Sequence, residues 1–160
     1  MQVRVYAPED RAALWSILQP VLLAGETYAL PQDMSEEDAI AYWTGPDRVT
    51  FVAEENGELL GTYFIKQNQL GGGSHVANCG YITGQNATGR GIARAMCTHS
   101  LEYAKAQGFK AMQFNFVVST NTRAVRLWES LGFEIVGKLP KAFHSPQFGY
   151  VDAYVMFREL

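Results

Sequence analysis

The segment from Asn78 to Met96 limits what this chain can fold into more than any other. Asn78-Cys79-Gly80-Tyr81-Ile82-Thr83 is a largely apolar run, Gly84-Gln85-Asn86-Ala87-Thr88-Gly89-Arg90-Gly91 is a polar turn spaced by glycines, and Ile92-Ala93-Arg94-Ala95-Met96 opens a helix-forming pattern. The order predicts strand, turn and helix. Gly89 and Gly91 fall at the joint, where the absence of a Cβ lets a ligand approach the backbone. The first N–H groups of a helix have no internal partner, and the helix dipole adds partial positive charge at that end. A phosphate or pyrophosphate is the expected guest. The dinucleotide fingerprint needs Gly or Ala where Arg94 stands, and the phosphate-loop motif needs a Gly-Lys-Ser/Thr ending that is absent.

Two segments together resemble one superfamily. Asn86-Ala87-Thr88-Gly89-Arg90-Gly91 is similar to the acyl-CoA pyrophosphate loop of the GNAT superfamily of N-acetyltransferases, Gln/Arg-x-x-Gly-x-Gly/Ala, with Asn86 replacing the usual Gln or Arg. Downstream, Asn121-Thr122-Arg123-Ala124-Val125-Arg126-Leu127-Trp128-Glu129-Ser130-Leu131-Gly132-Phe133 resembles the superfamily pattern Asn-x-x-Ala-x-x-Leu-Tyr-x-x-x-Gly-Phe, with Trp128 replacing Tyr. The resemblance implies an α/β fold of GNAT type over residues 1–160 as a single domain. Its sheet is mixed and mostly antiparallel, of about seven strands, flanked by helices and splayed between the fourth and fifth strands. It also implies acetyl-CoA as acyl donor, no metal, and a homodimer.

The rest of the composition is compatible with such a domain. Apolar residues make up 48% of the chain and charged residues 18%, which is globular rather than disordered. A net charge of −3 argues against a protein that works by neutralising nucleic-acid phosphates. The first residues lack a signal-peptide pattern, no apolar run is long enough to span a membrane, and Cys79 and Cys97 suggest neither a disulfide framework nor a metal site. A cytoplasmic location is expected.

Along the chain, alternation predicts a strand at 2–6, and Leu14, Ile17 and Leu18 predict a helix that Pro20 interrupts. Ser35 caps a short helix ending at Trp43. Residues 49–54 and 59–66 flank the Asn56-Gly57 hairpin signal. A strand at 75–83 precedes a helix at 89–107, and a strand at 110–118 precedes the Trp128 helix. Residues 133–137 and 150–157 read as a final antiparallel pair around a loop at 139–149.

By the resemblance, acetyl-pantetheine would lie in the splay beside the backbone of Tyr81, Ile82 and Thr83, with a strand N–H near Ile82 receiving the oxyanion. Backbone groups of Thr88, Gly89, Arg90, Gly91, Ile92 and Ala93 would hold the pyrophosphate, and Asn121, Ala124 and Trp128 would contact the donor. Indole N–H donates a hydrogen bond but not a usable proton, so Trp128 is not assigned as general acid. Asn78, Asn115 and Asn121 form the candidate catalytic set. With the phrase Gln113-Phe114-Asn115-Phe116-Val117-Val118 they resemble the yeast acetyltransferases of proline analogues such as azetidine-2-carboxylate. Gly25-Glu26-Thr27-Tyr28 and Gly149-Tyr150-Val151-Asp152 resemble the phosphinothricin-type amino-acid acetyltransferases. These likenesses imply Glu26, Thr27, Tyr28, Asn78, Asn115, Phe116 and His144 as acceptor contacts. They imply direct acetyl transfer to the amine of a small amino acid or analogue. A peptide N-terminal acetyltransferase and a non-catalytic acyl-CoA-binding module are the alternatives.

Overall fold

The computed structural model describes residues 1–160. Strand β1 (Gln2–Val5) leads to helix α1 (Arg11–Ala24), whose Leu14, Ile17, Leu18 and Leu22 recur at helical spacing and are buried. Helix α2 (Glu36–Trp43) is capped by Ser35, whose Oγ accepts the Asp38 N–H at 3.1 Å, and Glu36, Glu37 and Asp38 occupy the dipole's positive end. Strands β2 (Arg48–Glu55) and β3 (Glu58–Gln67) turn at Asn56 and Gly57, with φ of 53° and 82°, the conformation an Asn-Gly hairpin needs. Strand β4 (Val76–Thr83), helix α3 (Ile92–Ala106), strand β5 (Ala111–Val118) and helix α4 (Thr122–Ser130) follow, and β6 (Glu134–Ser145) and β7 (Gly149–Glu159) complete the chain.

All the strands join one seven-stranded sheet in the order β1-β2-β3-β4-β5-β7-β6. Every neighbouring pair is antiparallel except β4 and β5. This is the mixed, mostly antiparallel sheet expected. One face carries α1 and α2 over a core of Leu14, Leu18, Trp43, Phe64 and Ile82. The other carries α3 and α4 over Tyr63, Met96, Met112, Phe114, Trp128 and Met156. Burying each such side chain contributes about 1.5–3 kcal/mol. A buried polar relay fixes α2 to the sheet: Trp43 Nε1 donates to Thr62 Oγ1 at 2.9 Å, and Thr62 Oγ1 donates to the Phe51 carbonyl at 2.8 Å.

Three local expectations change. Helix α1 continues through Pro20 to Ala24, because the apolar face at Leu14, Leu18 and Leu22 is held by the core while one ladder bond, to the Ser16 carbonyl, is missing. The stretch at 139–149 is mostly strand: β6 runs to Ser145 with register shifts at Ile135/Gly137 and Leu139/Phe143. Pro140 is tolerated because β6 is an edge strand, and Lys141, with φ of 51°, is pinned where its N–H donates to Asp152 Oδ1 at 3.0 Å. Helix α3 begins at Ile92, three residues later than the expected start at Gly89, because Gly91 sits in the left-handed region with φ of 76°.

Candidate active site

Parallel strands β4 and β5 pair only at Val76↔Ala111 and Ala77↔Met112, and then diverge. Asn78 marks the point of separation: its Nδ2 donates to the Gln113 carbonyl at 2.9 Å, closing the wedge where ladder bonds stop. Beyond it opens a cleft of about 850 Å³ that reaches from the glycine turn, through the splayed sheet, to the loop after α1. Alongside this divergence, the pairing of β5 with β7 shifts register between Phe114 and Val117, the sign of a β-bulge.

At one end of the cleft, Thr88, Gly89, Gly91, Ile92 and Ala93 line the wall. Gly89 and Gly91 both have positive φ, and a Cβ built on Gly91 would meet nothing within 4 Å, so the turn is open toward the cleft. The first bond from this end of the helix is Ala95 N–H to the Gly91 carbonyl at 3.0 Å, which leaves the preceding N–H groups free for an anion. Arg94, Arg123 and Arg126 add positive charge there. Sequence reasoning misses all three, although Arg123 and Arg126 stand three apart on one face of α4. The Arg90 side chain turns outward to Glu55 at 2.6 Å, so only its backbone belongs to the turn.

In the middle, strand geometry decides which backbone groups face the gap. Gly84 N–H donates to the Leu60 carbonyl and Asn68 N–H to the Val76 carbonyl, so the even-numbered residues of β4 bond to β3. The N–H and C=O of Ile82 are therefore committed to Thr62, and those of Cys79, Tyr81 and Thr83 point into the cleft. The strand N–H groups near Ile82 that are open to the cleft are thus those of its odd-numbered neighbours. Tyr28 crosses this edge, donating its hydroxyl to the Tyr81 carbonyl at 2.9 Å. Gly80 makes room for it: a Cβ there would lie 2.8 Å from the Phe64 ring and 3.0 Å from Tyr28 Oη.

The Tyr81 ring lies on the opposite face, its hydroxyl bonded with Ser100 Oγ at 2.7 Å and its ring 5.0 Å from that of Trp128. Trp128 also packs edge-on to Phe114 at 5.1 Å, and with Ala124 lines the cleft wall formed by α4. Asn121 precedes α4 without capping it. Its side chain makes no hydrogen bond within the protein and lines the cleft.

At the far end, Val21, Thr27, Tyr28, Leu30, Tyr42 and Phe64 meet Lys66, Asn78, Asn115 and Phe116. Asn115 is held at both ends, donating to Asn68 Oδ1 at 2.6 Å and accepting from Gln113 Nε2 at 2.9 Å. Glu26 and His144 stand outside the cleft. Glu26 accepts the Ser145 hydroxyl at 3.0 Å, tying the Tyr28 loop to the tip of the β6–β7 hairpin. His144 is exposed and stacks on Tyr150 at 4.5 Å, because alternation along β6 sends it away from buried Phe143 and Ser145. Lys66 is a further residue that sequence reasoning misses, since it reads as the solvated end of an apolar strand.

No Asp, Glu or His lines the cleft; its charged side chains are Lys66, Arg94, Arg123 and Arg126. Burial pushes the Tyr28 hydroxyl and the Cys79 thiol far above their ordinary ranges, so neither is a base or a thiolate near neutrality. His99, on the core side of α3, shares a 2.7 Å hydrogen bond with the Tyr63 hydroxyl, and burial lowers its pKa.

Residues 12–133 match the acetyltransferase (GNAT) family. The chain belongs to that family. GNAT proteins use acetyl-CoA as acyl donor, and the backbone-lined wedge with its anion-binding turn suits an extended acyl-CoA. The chain is 42% identical to a GCN5-related N-acetyltransferase from Kribbella flavida, with a TM-score of 0.94 over 99% of this chain and 97% of that one. It shares its fold with a phosphinothricin acetyltransferase from Sinorhizobium meliloti solved in complex with acetyl-CoA, with 21% identity and a TM-score of 0.85 over 99% and 88% of the two chains. It is also 37% identical over 111 residues to N-acetyltransferase aca1 of Schizosaccharomyces pombe, covering 69% of this chain and 53% of the relative. It matches a mycothiol acetyltransferase of Streptomyces avermitilis at 30% over 133 residues, 82% of this chain and 42% of that protein. The chain thus spans about half the length of these two curated relatives or less. No helix of this GNAT protein is long and apolar enough to cross a membrane.

Proposed function

We propose that this GNAT protein transfers the acetyl group of acetyl-CoA by direct attack onto the amine of a small amino acid or amino-acid analogue. The observation that carries the reading is the wedge between β4 and β5, which joins an anion-binding turn to a compact pocket with amide side chains. The free N–H groups from Gly89 to Ala93, with Arg94, Arg123 and Arg126, hold the donor's phosphates, and the Tyr81 and Thr83 backbone pairs with its pantetheine arm. The thioester carbonyl oxygen, which takes up negative charge as the amine attacks, accepts a hydrogen bond from the N–H of Cys79 or Tyr81. Asn78 orients the amine through its Oδ1, since its Nδ2 is committed to Gln113. Asn121, free of protein partners, and the Trp128 ring position the thioester, while Asn115 and Phe116 border the acceptor.

With no acid–base side chain in the cleft, the amine arrives neutral and its proton leaves toward the departing sulfur or water. The buried Cys79 thiol supports direct transfer over an acetyl-cysteine route. The Glu26–Ser145 tie draws the hairpin tip against the Tyr28 loop, which favours a small acceptor over an extended peptide. The 37% identity to a yeast N-acetyltransferase accords with the likeness to the yeast branch. Exposed Ile135, Val136 and Leu139 on edge strand β6 support a homodimer through that edge, and two free buried cysteines suit a reducing cytoplasm.

The test is CoA-thiol release from acetyl-CoA with amino acids, proline analogues, polyamines and short peptides, repeated with Asn78→Ala, Asn115→Ala and Asn121→Ala. Release with small amino acids, reduced in these variants, is expected. Turnover of peptides alone would make the protein a peptide acetyltransferase, and tight acetyl-CoA binding with no release would make it an acyl-CoA-binding module.

A further inference from the structure

At the acceptor end of the cleft Lys66 is the one charged side chain, because Arg94, Arg123 and Arg126 belong to α3 and α4. It lies on β3 directly opposite Asn78 on β4, and the two residues share the face that carries α1 and α2. Lys66 is only partly neutralised. Its Nζ lies 3.8 Å from Asp47 Oδ2, but Asp47 is 59% exposed and is already bonded by Arg48 Nε at 2.8 Å and Arg48 Nη2 at 3.2 Å.

Arg48 is itself a buried cation behind the pocket wall. Its guanidinium lies 4.5 Å from the Phe64 ring centroid and 5.0 Å from that of Tyr42, its side chain is 8% exposed, and its Nη1 has no partner. The two cations share one carboxylate, which leaves a positive excess where the wall is otherwise apolar.

We propose that Lys66 binds the carboxylate of the acceptor, so that the substrate is an α-amino acid held by its two ends. This rests on the reading of the cleft as an acetyl-transfer site. Directly opposed residues in a hydrogen-bonded antiparallel pair have Cα atoms about 5.5 Å apart. From that base Lys66 and the Asn78 amide diverge enough to grip groups separated by one carbon. Lys66 Nζ donates to the carboxylate, Asn78 Oδ1 accepts from the amine, and the amine lone pair is left to face the thioester in the wedge. Val21, Leu30, Tyr42 and Phe64 then surround the acceptor's side chain, which makes it apolar or small. A polyamine has no carboxylate for Lys66 and finds no acid in the cleft.

The test compares L-alanine, L-proline and L-methionine with their primary amides, in wild type, Lys66→Met and Lys66→Arg. Turnover is read by CoA-thiol release, and binding by calorimetric titration of the CoA complex. Losing a charge-assisted hydrogen bond in a half-buried site raises KM or Kd for the amino acids about ten- to hundredfold in Lys66→Met. At a pH above the amine's break, where the Lys66 charge no longer acts on an ammonium, the expected pattern leaves the KM for acetyl-CoA near its wild-type value, changes the amides far less than the acids, and shows partial recovery in Lys66→Arg. Equal effects on acids and amides, or no effect on either, would overturn the role of Lys66. Turnover confined to amines without a carboxylate would overturn the substrate class while leaving acetyl transfer intact. Loss of turnover with all acceptors but carboxylate-dependent binding would retain the Lys66 site and overturn only the catalytic reading. Absence of both would overturn both.

Discussion

If no side chain of the cleft can take the acceptor's proton, the rise of the rate with pH must belong to the acceptor. The lining contains no Asp, Glu or His, and the Tyr28 hydroxyl and Cys79 thiol are raised by burial, so each stays protonated over the working range. The profile of kcat/KM reports ionisations of free enzyme and free substrate. Below the amine's pKa it should therefore rise about tenfold per pH unit and level off at the pKa of whichever acceptor is used. Replacing the acceptor by a less basic amine should move the break by the difference between the two amine pKa values.

The kcat profile reports the bound state and should break earlier. A Lys66 charge at about 6 Å, with an effective dielectric near 20, opposes the bound ammonium by about 3 kcal/mol, or about 2 pH units. The acceptor's own carboxylate offsets part of this, so the displacement should fall between about zero and 2 units and should shrink in Lys66→Met. The assay is CoA-thiol release across pH 6–10 with two acceptors of different basicity. A limb near pH 6–7 that stays in place when the acceptor is changed would reveal an enzyme base and refute this reasoning.

Two further perturbations read the scaffold. Thr62→Val keeps the shape but leaves the Trp43 indole N–H unpaired at a site where Thr62 is fully buried and Trp43 is 1% exposed. It should cost about 1–3 kcal/mol, lowering Tm by roughly 2–12 °C in a thermal melt, with a loss within 1 °C as the contrary result. Gly91→Ala forces a Cβ into the left-handed conformation at a cost of about 1–2 kcal/mol. With the donor's phosphates at this turn, as proposed, it should weaken binding of CoA more than that of pantetheine, which has no phosphate, in calorimetry.

Some of this molecule is local and therefore legible in the chain. The Asn56-Gly57 turn, the Ser35 cap and the strand, turn and helix around Gly89 and Gly91 each depend on neighbours a few residues away. Pro20 and the β6 strand break local rules because distant contacts outweigh them: the core holds α1 past its proline, and β7 holds β6 through two register shifts. The candidate site divides in the same way. Asn78, Asn121 and Trp128 stand in motifs that can be read along the chain, whereas Glu26 and His144 look equally suitable in sequence but face other partners.

The sequence by itself determined the order of elements, the open glycine turn and the family, because backbone conformation and motif spacing are properties of short segments. Only the tertiary structure decided which strand groups face the wedge. Parity along β4 is set by its pairing with β3, so Ile82 is committed while Cys79, Tyr81 and Thr83 are free. It also decided the charge of the cleft. A chain of net charge −3 places its carboxylates elsewhere and brings Lys66, Arg94, Arg123 and Arg126 from three separate elements to one cavity. Electrostatic potential depends on distance through space, and no pattern along the chain carries that distance.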